Sequence, residues 1–368
     1  MSETNVIYQK LKGVIVSVII LCLITLSGCQ TESNHVSPAY HVAFDNFALR
    51  TYIDLYETKL LYMETGDADT AFYIYNFQDG SNKKILTVGN FALKGMSNAF
   101  IDDALYFYMS LYQGSELEND LYVVNFSEER MYTVSKNTYY QKLIPLTVVD
   151  GKLISLQGDS SENGTFQSFI EMQDSSQTME RVQMHNAASQ PRRIISIASD
   201  NTYLYAIEIS DSDPDRKCFI VKYDRNFSSI SETEITEILK KHEITSGIAS
   251  FSVFQNYFTI TDYSSNTIVC SFAGGDNQAL LCENDLVYVP NDSAGSSHEF
   301  LYKRNTNEIY RLDTESGKFE IQNFDLENET YSIRVMLSYG DNLLIVKQPD
   351  NGNGKENVYL IPQKYEKQ

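Results

Sequence analysis

Short apolar segments alternate with turn residues along most of the chain, and they recur at a nearly constant spacing. One follows a turn seven times, as Lys59-Leu60-Leu61-Tyr62, Ala104-Leu105-Tyr106-Phe107, Lys152-Leu153-Ile154, Tyr203-Leu204-Tyr205, Tyr257-Phe258-Thr259, Phe300-Leu301-Tyr302 and Asn342-Leu343-Leu344-Ile345. With Leu60, Leu105, Leu153, Leu204, Phe258, Leu301 and Leu343 as equivalents, the steps are 45, 48, 51, 54, 43 and 42 residues. A second segment follows each first one. From Ile74 through Val123, Ile170, Val221, Val269, Tyr310 and Tyr359 its steps are 49, 47, 51, 48, 41 and 49. Both series are β-rich, and a self-similar period of this length is the signature of a repeat architecture.

Many second segments run into a turn and a further strand, as at Asn76-Phe77-Gln78-Asp79-Gly80 and Leu312-Asp313-Thr314-Glu315-Ser316-Gly317-Lys318. Asp, Asn and Gly there supply the backbone angles that a hairpin needs. One more apolar stretch precedes each first segment, such as Ile194-Ile195-Ser196-Ile197-Ala198 or Phe251-Ser252-Val253-Phe254. Four strands per repeat, seven times over, look like the antiparallel blades of a seven-bladed β-propeller. The fold class expected is therefore all-β. The last repeat ends near Ile361 without room for a fourth strand, and the early stretch His41 to Phe47 can supply it, closing the ring and covering an open sheet edge. One segment breaks the strand pattern. Ser231 and Glu234 have capping-box spacing, Ile235, Ile238 and Leu239 share one helical face, and Lys240 and Lys241 follow, so a short helical insertion is expected near 231–241.

The N-terminus reads differently. Lys10 and Lys12 precede an apolar run from Val14 to Leu26, a signal-peptide layout. The run is shorter than the roughly 20 residues of a membrane-spanning helix, although an uncleaved anchor helix stays open as an alternative. Leu26, Ser27, Gly28 and Cys29 resemble the lipobox of bacterial lipoproteins. That resemblance implies cleavage before Cys29 and a diacylglyceryl group on its thiol, whose two chains suffice for stable anchoring. The expected organisation is a signal peptide over 1–28, a polar tether over 29–39 and the propeller over 40–368. The protein would then sit outside the cell membrane, held through lipid on Cys29.

The repeat pattern resembles the bacterial propeller lipoproteins and, more loosely, the TolB-like and YncE-like propellers. The Trp-Asp signature of WD-type repeats is missing. So is the tryptophan docking motif of quinoprotein propellers, because the chain has no Trp. No cofactor is implied.

Composition narrows the partners. A net charge of -20 repels nucleic acid and anionic headgroups, so neither is an expected ligand. Beyond Cys22 and Cys29, the remaining cysteines are Cys218, Cys270 and Cys282. Cys270 and Cys282 lie on neighbouring apolar stretches and could pair, while buried free thiols are the other use of such positions. The five histidines are scattered and no zinc spacing exists, so no metal site is expected. Asp211-Ser212-Asp213-Pro214-Asp215 has alternating oxygen ligands, but Arg216 stands where a calcium loop needs Gly.

In a propeller the loops joining second to third strands share a face with the crossings between blades, the usual ligand face. Those loops look long at 64–71, 111–120, 157–168, 210–217 and 348–357, and carry Glu64, Asp67, Asp69, Glu116, Glu118, Asp120, Asp159, Glu162, Asp211, Asp213, Asp215, Asp350 and Glu356. Asp67, Asp69, Glu116, Glu118, Asp211, Asp213 and Asp215 are the candidate ligand-face residues. An acidic rim would favour a cationic ligand or a basic partner surface, although solvated loops carry such charges without any ligand. Catalytic residues are not identifiable: no nucleophile with its base is evident, and Asp102, Asp150 and Asp200 recur at blade turns that hairpin geometry explains. The expected function is a non-catalytic, membrane-anchored, monomeric scaffold binding a protein, peptide or glycan. A glycan-acting hydrolase or lyase, and a structural member of an envelope complex, are the alternatives.

Overall fold

The computed structural model describes residues 40–362 apart from 46–48, 90–91, 114–115, 138–144, 161–165, 174–178, 186–191, 211–215, 245–246, 273–278, 291–297, 305, 314–315, 325, 327–330 and 350–353. The expected signal peptide, the tether and Cys29 lie outside these residues.

The chain opens with β1 (Tyr40–Phe44) and then forms its first blade from β2 (Leu49–Tyr56), β3 (Lys59–Thr65), β4 (Asp69–Asn76) and β5 (Asn82–Gly89). Blade two comprises β6 (Ala92–Ile101), β7 (Ala104–Gln113), β8 (Glu116–Asn125) and β9 (Arg130–Asn137). Blade three follows with β10 (Leu146–Val149), β11 (Lys152–Ser160), β12 (Phe166–Gln173) and β13 (Met179–Val182). Blade four holds β14 (Arg193–Ser199), β15 (Leu204–Ile209), β16 (Cys218–Tyr223) and β17 (Ser229–Glu234), after which comes the helix α1 (Thr236–Lys241). In blade five stand β18 (Ile248–Phe254), β19 (Tyr257–Asp262), β20 (Asn266–Ser271) and β21 (Ala279–Asn284). Blade six is β22 (Leu286–Val289), β23 (His298–Lys303), β24 (Ile309–Asp313) and β25 (Lys318–Gln322). Blade seven is β26 (Tyr331–Tyr339), β27 (Asn342–Pro349) and β28 (Glu356–Pro362), and β1 completes it. The seven antiparallel sheets form a seven-bladed propeller.

Alternation along each second strand explains the apolar runs seen in the sequence. In β3, Leu61 and Met63 pack with Leu105, Phe107 and Met109 of blade two, whereas Leu60 and Tyr62 pack with Leu344, Val346, Val358 and Leu360 of blade seven. Side chains on successive residues point to opposite faces, and both faces are covered by a neighbouring blade, so both must be apolar. Fourth strands such as β17 and β25 are largely exposed and read as polar.

Ring closure is as the short last repeat implies. β1 pairs antiparallel with β28, Tyr40 facing Leu360 and Phe44 facing Glu356. The hairpin turns between first and second strands hold Glu57, Asp102, Asp150 and Gln255 in the left-handed region, with Gly151 following Asp150 at φ 71°. Asp200 instead accepts backbone N–H bonds from Thr202 and Tyr203 at 3.0 and 2.8 Å.

The helical insertion exists but begins later than its capping-box spacing suggests. Ser231 to Glu234 belong to β17, where Glu232 faces Val221 and Glu234 faces Phe219 in the ladder with β16. Backbone hydrogen bonding to a sheet has taken those residues, and the six-residue helix starts at Thr236 with no side-chain cap. The thiols of Cys218, Cys270 and Cys282 are free, the first two buried and the third exposed.

Candidate functional site

The first strands β2, β6, β10, β14, β18, β22 and β26 each lie at the end of their sheet, and β6 with β10, β10 with β14, β14 with β18, β22 with β26 and β26 with β2 are neighbours. Each has one ladder partner, so the N–H and C=O groups of its other edge face the axis, as at any sheet edge. Register breaks interrupt the ladders of β2, β6, β14, β18 and β26 with their second strands, between Tyr52 and Asp54, Leu93 and Met96, Ile194 and Ser196, Ile248 and Ser250, and Ile333 and Arg334's successor Val335. A bulge of this kind leaves an extra residue unpaired and re-aims side chains.

Inside this ring is a cavity of about 660 Å³, bounded by first strands of blades two to five and by Tyr288, Pro290 and Glu299 of blade six. Ser97, Asn98, Thr147, Ser196, Ser199, Asn201, Thr202, Ser250 and Ser252 give it hydroxyl and amide groups, and Phe100, Phe251, Phe254 and Tyr288 give it aromatic walls. Among the described residues its lining contains no Lys or Arg and two carboxylates, Asp200 and Glu299. Both are engaged. The Asp200 carboxylate caps its turn and accepts the Tyr205 hydroxyl at 2.8 Å, and Glu299 accepts the Tyr288 hydroxyl at 2.8 Å. Burial, together with the Asp200 hydrogen bond, holds the Tyr205 phenol well above its ordinary range. Thr147 and Ser199 hydroxyls bond each other at 2.7 Å. On the far side, Tyr56, Phe100 and Tyr339 from blades one, two and seven bring their rings together at 4.7 to 6.0 Å.

Among the acids expected on the rim, three are drawn into the body instead. Glu64 is a residue of β3 and pairs with Arg50. Glu356 begins β28, is almost wholly buried, and accepts the Tyr52 hydroxyl at 2.7 Å, Arg50 Nη1 at 3.4 Å and Arg334 Nη1. Arg334 also donates to the Arg50 carbonyl at 3.1 Å, and the Arg50 guanidinium lies 4.3 Å from the Phe44 ring centroid. This cluster joins blades one and seven to the closing strand, and burial together with Glu356 raises the Tyr52 phenol far above its ordinary range. Asp120 lies in β8, buried, accepting the Tyr122 hydroxyl at 3.3 Å.

The candidate ligand-face residues are dispersed. Asp67 and Asp69 are exposed at the tip of the β3–β4 hairpin, where the Gly66 N–H bonds the Asp69 carbonyl at 2.8 Å. Glu116 and Glu118 lie in β8 rather than in a loop, paired with Gln113 and Leu111, because the β7–β8 hairpin continues almost to its tip. Asp211, Asp213 and Asp215 lie outside the described residues. Neither Asp67 nor Asp69 lines the cavity. The residues that do line it come mostly from first strands and the turns beside them, and the serines within Ile194-Ile195-Ser196-Ile197-Ala198 and Phe251-Ser252-Val253-Phe254 were their visible signal. Among the described residues no group of three or more His, Cys, Asp or Glu could hold a metal ion.

Fold and cavity define the class: a seven-bladed β-propeller with a polar axial cavity. No protein-family model matches the chain, and no curated protein does. Among solved structures it is similar to a chain of the mitotic checkpoint complex, at 11% identity and TM-score 0.51, over 91% of this chain and 97% of that one. It is also similar to an uncharacterised protein of Listeria monocytogenes EGD-e, at 13% identity and TM-score 0.46, over 91% and 99%. A third is YCF48 bound to D1 peptide, at 8% identity and TM-score 0.48, over 88% and 98%. The first of these supports the ring architecture and nothing finer.

Proposed function

We propose that this chain is an exported lipoprotein, anchored through lipid on Cys29, whose propeller is a non-catalytic scaffold for a protein, peptide or glycan ligand. The observation that carries the binding reading is the axial cavity, whose two carboxylates are held by tyrosine hydroxyls and turn amides rather than poised as an acid–base pair. General acid–base chemistry needs a group within reach of the proton it moves and free to move it. The anchoring reading rests on Leu26-Ser27-Gly28-Cys29 and on the position of β1, which begins at Tyr40 shortly after the cysteine and would place the tether at the seam of the ring. No helix among the described residues is long and apolar enough to cross a membrane.

The test is Cys29→Ser in the full chain, expressed in a bacterium beside the unaltered chain. In cells grown with a labelled fatty acid, the unaltered chain should take up label and be cleaved before Cys29, whereas the variant should do neither; equal labelling of both would refute the lipid anchor. Incubation of the purified chain with oligosaccharides and peptides, followed by mass spectrometry, should show no cleavage products.

A further inference from the structure

We infer that the axial cavity binds an uncharged, polyhydroxylated ligand, a short oligosaccharide. This rests on the scaffold reading and gives its ligand a chemical class. Among the described residues, an anion entering the cavity would meet no Lys or Arg side chain and two carboxylates. A cation would have to take Asp200 or Glu299 from hydrogen bonds already made at 2.8 Å to Tyr205 and Tyr288. The remaining groups are neutral dipoles: backbone amides of the first-strand edges and the hydroxyls of residues such as Ser250 and Ser252. Such groups offer donors and acceptors side by side, which suits sugar hydroxyls that both give and accept hydrogen bonds.

The walls supply the other half of sugar recognition. Tyr288 lines the cavity and is half-buried, and the buried Phe254 of the adjacent blade backs it, stacking at 4.9 Å with the planes 13° apart. A flat aromatic face packs against the C–H face of a pyranose ring while the hydroxyls at its edge reach polar groups. The volume of about 660 Å³ lies within the range of small-molecule sites, roughly 300 to 1,000 Å³, and is too small for a folded domain.

The experiment is titration calorimetry of the purified full chain with maltotriose, cellotriose, mannotriose, chitotriose and trilysine, at low and at high salt. At least one neutral trisaccharide should bind, with an affinity that salt changes by less than about twofold, since no ion pair is involved. Ser252→Phe, which fills the cavity, should weaken that binding at least about tenfold, the loss expected when a bound ring cannot enter. Because a filled cavity can unfold the blade, Tyr288→Leu serves as a second variant, keeping apolar bulk and removing the half-buried ring; it should also weaken sugar binding while the melting temperature reports folding. Salt-sensitive binding of trilysine with no sugar bound would overturn the inference and leave the scaffold reading standing. Sugar affinity unchanged in both variants would place the site elsewhere and overturn it. Binding of no probe would refute it as well. A sugar that binds in the cavity and is cleaved would preserve the ligand class and sink the non-catalytic reading instead.

Discussion

Replacing Glu356 by Ala should destabilise the ring more than any exposed ion pair does. Its carboxylate is almost wholly buried and receives Tyr52, Arg50 and Arg334, so its loss leaves the nearly buried Arg50 guanidinium with Glu64 alone. Removing one partner of a buried pair costs about 3 to 5 kcal/mol, because the other charge stays desolvated. Arg334 is 39% exposed and can rehydrate, and Arg50 keeps one partner, which places the cost near the lower end of that range. With an unfolding entropy of about 2.1 cal/mol/K per residue, about 330 folded residues give about 0.7 kcal/mol/K, so about 3 kcal/mol lowers Tm by about 4 °C. Lys355→Ala is the matched control. Its pair with Asp45 at 3.2 Å is 62% and 71% exposed and should be worth less than about 1 kcal/mol. Since the chain has no Trp, melting is followed by far-ultraviolet circular dichroism. Equal Tm losses in Glu356→Ala and Lys355→Ala would refute the reasoning.

Burial pushes the Cys218 and Cys270 thiols up to about 12, so in the chain lacking its first 29 residues a disulfide reagent at mildly alkaline pH should titrate Cys282 quickly and the other two only on unfolding. Three equally fast thiols would contradict their burial. Those raised values make the folded state bind more protons than the unfolded one between about pH 9 and about 12, so stability is full below that window and falls as pH rises through it; Cys218→Ala should flatten the fall in Tm. Burial also raises the Glu171 carboxyl, against a hydrogen bond from Gln157 and the charge of Arg181. Its ionised form is therefore penalised at neutral pH, and Glu171→Gln should raise Tm at pH 7 but not at pH 4; a lower Tm at pH 7 would show that the Arg181 attraction prevails.

The blade number was legible because second and third strands, covered on both faces, must be apolar throughout, and runs such as Leu60-Leu61-Tyr62-Met63 announce them. The closing strand was legible because the last repeat runs out of chain. What was misread lies where polar residues sit inside strands. Glu116-Leu117-Glu118-Asn119-Asp120-Leu121 alternates with a strand's period, yet its charges suggested a loop, and the hairpin extends through it. Glu356 looked like a rim acid because two of its partners are far away in sequence, Arg50 by 306 residues and Tyr52 by 304, and no local pattern marks such pairs; Glu64 finds Arg50 14 residues away, across the β2–β3 hairpin. The capping-box spacing of Ser231 and Glu234 was real but lost to the ladder with β16. The axial cavity was the least legible feature, since its lining is drawn from five blades that are far apart in sequence.

Ring closure by the N-terminal strand can be tested directly by crosslinking Ala43→Cys with Asn357→Cys, whose Cα atoms face each other across β1 and β28, in a chain whose native cysteines are replaced by Ala. Oxidation should give a fast-migrating, intramolecularly linked monomer in high yield, restored to normal mobility by reductant. Failure to link, or linkage only between chains, would contradict a ring closed by its own first strand.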